Sequence, residues 1–150
     1  MKVTFILNHQ EETWDVHPND YLLDSLRTHH IVSVKRGCDT TSCGVCTVLL
    51  NGKAVPSCSI LSASIDGKEV VTVEGIAKEA ERLSEFMGHN GADQCGYCNP
   101  SLALSVHALQ QENPHPSDAD IRAFLVGNLC RCTGYHGQQE AILHYLEDDQ

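Results

Sequence analysis

Eight cysteines stand out in this 150-residue sequence, and they divide into two sets of four: Cys38, Cys43, Cys46 and Cys58, then Cys95, Cys98, Cys130 and Cys132. A thiolate is a nucleophile, a redox group and a soft metal ligand, so the spacing has to say which chemistry is intended. Disulfides are expected in oxidising compartments. The first ten residues alternate apolar and polar side chains and lack the continuous apolar core of an export signal. A cytoplasmic chain is therefore expected, and in a reducing compartment eight cysteines point to metal ligation or redox work.

The first set reads Cys38-x4-Cys43-x2-Cys46, followed after eleven residues by Cys58. This is plant-type [2Fe–2S] spacing, in which one tight loop presents three thiolates and a separate segment brings the fourth. Gly37 and Gly44 would let the loop backbone come close to the sulfurs, and its N–H groups could then donate to an anionic cluster. A four-cysteine zinc site pairs two short motifs, and Cys58 stands alone, so the spacing favours iron and sulfide over zinc. In the second set Cys95-x2-Cys98 and Cys130-x-Cys132 each sit at an expected helix boundary. Two helix-end loops placed side by side could hold a second cluster. On spacing alone, two short pairs suit zinc about as well.

Other chemistries find little support. Lys and Arg number 10 against 20 Asp and Glu, a formal charge of −10, with no basic cluster to track a phosphate backbone. Aromatic residues make up 5%, too few for a base-stacking platform. No apolar run approaches the roughly 20 residues of a spanning helix, so neither a nucleic acid nor a membrane is an expected partner. Of the nine histidines, His29, His30, His115 and His144 fall in polar contexts, none has Rieske-like pairing with cysteine, and a surface position is expected. No catalytic triad or phosphate loop is present.

The elements that must position the thiols change character along the chain. Val3–Leu7 and Thr13–His17 alternate as strands around a polar turn at residues 8–12. Asn19 or Asp20 is expected to cap a short helix over 21–29, and Trp14 to pack. The cysteine loop over 37–46 leads into a strand at 47–50, closed by the hairpin turn Asn51-Gly52, and a last strand covers 69–73. Beyond residue 75 the pattern becomes helical. Helices are expected over 76–87, over 99–111 with Asn99 as N-cap and Pro100 next, over 117–126 with Ser117 and Asp120 as a capping box, and over 138–147. The boundary falls near residue 75, giving domains 1–75 and 76–150 in an α+β chain. The strand–helix–strand order of the first half fits a β-grasp ferredoxin.

The motifs Gln94-Cys95-Gly96-Tyr97-Cys98 and Gly127-Asn128-Leu129-Cys130-Arg131-Cys132-Thr133-Gly134-Tyr135 resemble those of the small iron–sulfur subunit of the molybdenum hydroxylases. That family includes xanthine dehydrogenase, aldehyde oxidoreductases, carbon monoxide dehydrogenase and nicotinate dehydrogenase. The run Lys35-Arg36-Gly37-Cys38 through Cys43-Gly44-Val45-Cys46-Thr47-Val48 resembles its first motif, so the similarity covers essentially the whole chain. The resemblance implies a β-grasp plant-type ferredoxin domain followed by a four-helix-bundle [2Fe–2S] domain. It implies that Cys38, Cys43, Cys46 and Cys58 hold the cluster nearer the flavin. Cys95, Cys98, Cys130 and Cys132 would hold the one nearer the molybdenum cofactor, with Gln94 and Cys132 against the pterin.

The partners implied are a large subunit with the molybdenum cofactor and a medium subunit with FAD. The chain would carry electrons and contribute no catalytic residue. A purine such as xanthine is the expected substrate of the complex, with another N-heterocycle, an aldehyde or carbon monoxide as alternatives. A free-standing ferredoxin-like carrier is the rival role, and a zinc-stabilised binding module another. The sequence departs from the family pattern at three places. Asn99-Pro100-Ser101 stands for Thr-Pro-Gly, the segment between Glu74 and Gln94 is short enough to abbreviate the first bundle helix, and His136-Gly137-Gln138 differs from the usual continuation after Gly-Tyr.

Overall fold

The computed structural model describes residues 1–148. The strands β1 (Lys2–Leu7), β2 (Gln10–Asp15), β3 (Thr47–Leu50), β4 (Lys53–Pro56) and β5 (Glu69–Val71) form one sheet in the order β2-β1-β5-β3-β4. β1 runs parallel to β5, and every other pairing is antiparallel. The first hairpin turns tightly on Asn8 and His9, both at positive φ, so β2 starts earlier than the sequence suggests. The second turns on Asn51 and Gly52 as expected.

Side chains in a strand alternate faces, and here the alternation divides the core. Val48 and Val70 pack on one side of the sheet with Val3, Phe5 and Leu7 of β1 and with helix α1 (Leu22–Thr28). Their neighbours Leu49 and Val71 point the opposite way, into the core of the helical half. Leu22, Leu23 and Leu26 of α1 are completely buried. Trp14 packs as expected, edge-on to Phe5 and stacked on His29 at 3.8 Å. The N-cap of α1 is Tyr21 rather than Asn19 or Asp20, because the Asp20 carboxylate turns back to accept from the His17 N–H.

Four helices follow: α2 (Ala77–His89), α3 (Asn99–Glu112), α4 (Asp118–Leu125) and α5 (His136–Asp148). The first of them, α2, has 13 residues. α3 lies at the centre, with Leu102, Ala103, Leu104, Val106, Ala108 and Leu109 buried. α4 opens on the expected capping box, in which Ser117 and Asp120 satisfy each other's backbone N–H. Among the described residues no helix is long and apolar enough to cross a membrane.

Candidate metal centres

The first thiol loop runs from Gly37 to Cys46 between α1 and β3. A Cβ at Gly37 would come within 2.6 Å of Val45 Cγ2 and 3.2 Å of Cys43 Sγ, so here the bare backbone does approach a sulfur. Gly44 serves a different contact from the one expected. It has φ +71°, and a Cβ there would lie 2.1 Å from the Gly127 carbonyl oxygen, in the second thiol loop. Cys58 is delivered by a single 3-10 turn over Ser57–Ser59. The fully buried Ser57 donates to the Cys46 carbonyl through both its N–H (3.2 Å) and its hydroxyl (2.7 Å), which holds Cys58 beside Cys46.

The thiols of this set meet in two pairs, Cys38 with Cys43 and Cys46 with Cys58. Their electrostatics differ sharply. The backbone N–H of Cys43, then that of Thr40, the Cys43 thiol and the N–H of Ser42 all favour the Cys38 thiolate and lower its pKa to about 6. Burial and then the neighbouring thiols push Cys58 up to about 12, and burial also raises Cys43.

The second set is assembled from the segment before α3 and the segment between α4 and α5. Cys98 itself, not Asn99, is the N-cap of α3. The Asn99 amide instead donates to Asp93, and the buried Ser101 hydroxyl donates to the Cys98 carbonyl at 2.9 Å. Ser101 is therefore accommodated by a first-turn hydrogen bond. Pairing recurs here, with Cys98 beside Cys130 and Cys95 beside Cys132. Burial raises Cys98 to about 11. For Cys130 burial acts in the same direction, but the hydroxyl and N–H of Thr133, the N–H of Cys132 and the Cys98 thiol together outweigh it and lower the pKa. The Cys95 thiol raises Cys132.

The loop around this set is held from within. The Thr133 hydroxyl donates to Cys130 Sγ at 3.2 Å and accepts from the Tyr135 N–H at 3.2 Å, while the Tyr135 hydroxyl accepts from the Cys130 N–H at 3.1 Å. The Gln138 amide donates to Cys98 Sγ at 3.6 Å. Neither Thr133 nor Gln138 was identified from sequence as a contact to sulfur. A signal existed for Gln138, which is a polar residue at an apolar position of its helix. Gln94 is exposed and its amide donates to the Gly91 carbonyl at 3.3 Å.

The two sets abut. The Leu129 N–H donates to the Cys43 carbonyl at 2.9 Å, the Tyr97 hydroxyl donates to the Arg36 carbonyl at 2.8 Å, and Gly44 rests on Gly127. Cys43 and Cys98 fall in one buried cluster, with Cys38 and Cys130 against it. A cavity of about 510 Å³ is lined by all four thiols of the second set and also by Cys43. A cavity of about 570 Å³ between α4 and α5 contains no cysteine.

Among the described residues no three His, Cys, Asp or Glu side chains converge as they would around one metal ion. Two thiol pairs per set suit a two-iron cluster, in which each iron takes two cysteines. The all-thiol donor sets and the N–H and O–H groups aimed at the sulfurs suit the same group.

Residues 5–73 match a family described as 2Fe-2S iron-sulfur cluster binding domain, and residues 72–143 match one described as [2Fe-2S] binding domain. The chain is 40% identical over 151 residues to the nicotinate dehydrogenase small FeS subunit of Eubacterium barkeri, covering 97% of this chain and 96% of that one. It is 42% identical over 123 residues to the xanthine dehydrogenase iron-sulfur-binding subunit of Escherichia coli O157:H7, covering 79% of this chain and 77% of that one. The aldehyde oxidoreductase of Desulfovibrio desulfuricans ATCC 27774 superimposes with a TM-score of 0.91 at 37% identity, over 98% of this chain but 17% of that longer one.

Proposed function

This chain belongs to the iron–sulfur subunits of the molybdenum hydroxylase family, and from that premise we propose a two-cluster relay between partner subunits. When bound, each [2Fe–2S] cluster supplies a site that accepts and returns one electron, linking a molybdenum cofactor in a large subunit to FAD in a medium subunit. The residues proposed to hold the first cluster are Cys38, Cys43, Cys46 and Cys58, in a β-grasp ferredoxin domain over residues 1–75. Cys95, Cys98, Cys130 and Cys132 would hold the second, in a four-helix domain over residues 76–150. The thiol pairs suggest the division of each set between two irons. Cys38 with Cys43 and Cys46 with Cys58 would serve one cluster, and Cys98 with Cys130 and Cys95 with Cys132 the other.

One observation carries this reading above the others: the two thiol loops are bonded to each other, from Cys43 to Leu129. A free-standing carrier or a zinc-stabilised module has no need of two thiol sets in direct contact. The exposed Cys95 and Cys132, at the outer side of the second set, are proposed to face the pterin together with Gln94. The buried Cys43 and Cys98 lie between the sets. The chain's own residues do no bond chemistry. They hold the thiolates, donate to the sulfurs and keep the two loops in register.

A purine such as xanthine is kept as the substrate of the complex. The names of the relatives span nicotinate, xanthine and an aldehyde, so another N-heterocycle or an aldehyde is the alternative. A cytoplasmic location is part of the same reading. The test is purification of the native complex, which should contain FAD, molybdenum and about four iron and four sulfide for each copy of this chain. Assay with xanthine, nicotinate and aldehydes then identifies the substrate. Stoichiometric zinc in place of iron would overturn the reading.

A further inference from the structure

The buried residues of α5 are Gln138, Ala141, Ile142, Tyr145 and Leu146, a single stripe at three- and four-residue spacing. An apolar side chain would serve the core at the first of these positions, yet the residue there carries an amide and is only 5% exposed. A buried amide without a partner is destabilising, because it gives up its hydrogen bonds to water. The Gln138 amide has a partner in Cys98 Sγ, 3.6 Å from Nε2 and itself 8% exposed. This contact joins residues 40 apart in the chain. Thr133 Oγ1 is bonded to the other sulfur of the pair, Cys130, so each of these two thiols has its own side-chain donor.

We propose that Gln138 is a positioning residue that raises the reduction potential of the second cluster by donating its amide N–H to the Cys98 sulfur. This rests on the reading that the second thiol set holds a [2Fe–2S] cluster. Reduction adds one negative charge to the cluster and its sulfurs, so a donor aimed at a ligand sulfur favours the reduced form more than the oxidised form. Burial strengthens the effect, because a hydrogen bond is electrostatically stronger in a low-dielectric interior than in water. Gln138 sits in the first turn of a helix whose following buried residues are packed into the core, so the amide is held in place by the fold.

The experiment is a potentiometric titration of the native complex, following the two paramagnetic signals. The signal missing from Cys58→Ala is assigned to the first set. Gln138→Leu keeps the bulk and removes the donor. It should shift the oxidised-to-reduced ratio of the second signal roughly tenfold toward oxidised at fixed potential, a fall of 59 mV for one electron, and leave the first signal in place. An unmoved second midpoint overturns the proposal, as do two midpoints that fall together. If the Leu variant does not load its second cluster, Gln138→Met, which has the same reach and no donor, is read in the same way. Loss of the second cluster from both variants would make Gln138 an assembly residue and overturn the proposal. A wild-type complex with one signal and two iron per chain overturns the two-cluster reading, and this proposal with it, before any variant is made.

Discussion

The main-chain carbonyl of Cys43 accepts a hydrogen bond from the main-chain N–H of Leu129 at 2.9 Å, so the loop of the first thiol set is bonded directly to the loop that carries the second. The next residue, Gly44, completes the contact by lying against Gly127 without a Cβ. Side chains mutate without removing that main-chain bond, so the junction is best probed through the space Gly44 leaves.

Gly44→Ala is expected to destabilise the chain by about 2–5 kcal/mol, combining the left-handed φ penalty with overpacking against the Gly127 carbonyl. Gly52→Ala supplies the comparison, since Gly52 has a similar φ of +79° but open space around it. That variant should lose only about 1–2 kcal/mol. Thermal unfolding of the two variants side by side checks the difference. Equal losses would mean the Gly127 contact contributes nothing.

Cys58→Ala and Cys43→Ala should differ in reach. Cys58 pairs with Cys46 and takes no part in the cavity of the second set, whereas Cys43 lines that cavity. Cys58→Ala is expected to abolish one paramagnetic signal and leave the line shape of the other unchanged. Cys43→Ala should abolish the same signal and also broaden or shift the remaining one. Low-temperature spectra of the dithionite-reduced variants decide the matter.

In the cluster-free chain the thiols should react in a fixed order. With a pKa of about 6, Cys38 is about nine-tenths thiolate at pH 7, while Cys58 at about 12 and Cys98 at about 11 are protonated. Iodoacetamide followed by peptide mapping should therefore label Cys38 first and Cys58 and Cys98 last. The same shifts set opposite stability trends. The folded pKa of Cys38 is depressed, so its contribution is present above the unfolded value near 9 and is lost as pH falls through about 6. The folded values of Cys58 and Cys98 are raised, so their contribution is present below 9 and is lost as pH rises through about 11 to 12.

Gln94→Leu should leave the isolated subunit nearly untouched. Gln94 is exposed and makes one long hydrogen bond, to Gly91, so its loss is expected to change stability by less than about 1 kcal/mol. Both clusters should remain. In the assembled complex, substrate reduction of the second cluster should slow or the molybdenum cofactor bind less tightly, which rapid mixing and metal analysis would measure. Unchanged rate and occupancy would reduce Gln94 to a loop residue.

What the sequence determined by itself was governed by short separations, although the turn on Asn8 and His9 and the cap of α1 escaped it. The spacing of Cys38, Cys43 and Cys46 pointed to the chemistry proposed for the first loop, and Asn51-Gly52 set a hairpin. Ser117 with Asp120 set a helix start, because a capping box is closed within four residues. The second thiol set was less legible, since two short cysteine pairs suit zinc or iron about equally on spacing. Tertiary structure decided which face each core residue takes. Val48 and Leu49 are adjacent in β3, yet one packs with α1 and the other with the helical half. It also moved the cap of α3 from Asn99 to Cys98, because Asp93 captures the Asn99 amide. The contacts of Gly44 with Gly127 and of Gln138 with Cys98 span 83 and 40 residues of chain. No local pattern encodes such contacts. They exist because packing α3 against the sheet, with α4 on α3 and α5 on α2, brings two loops together and leaves one buried amide beside one sulfur.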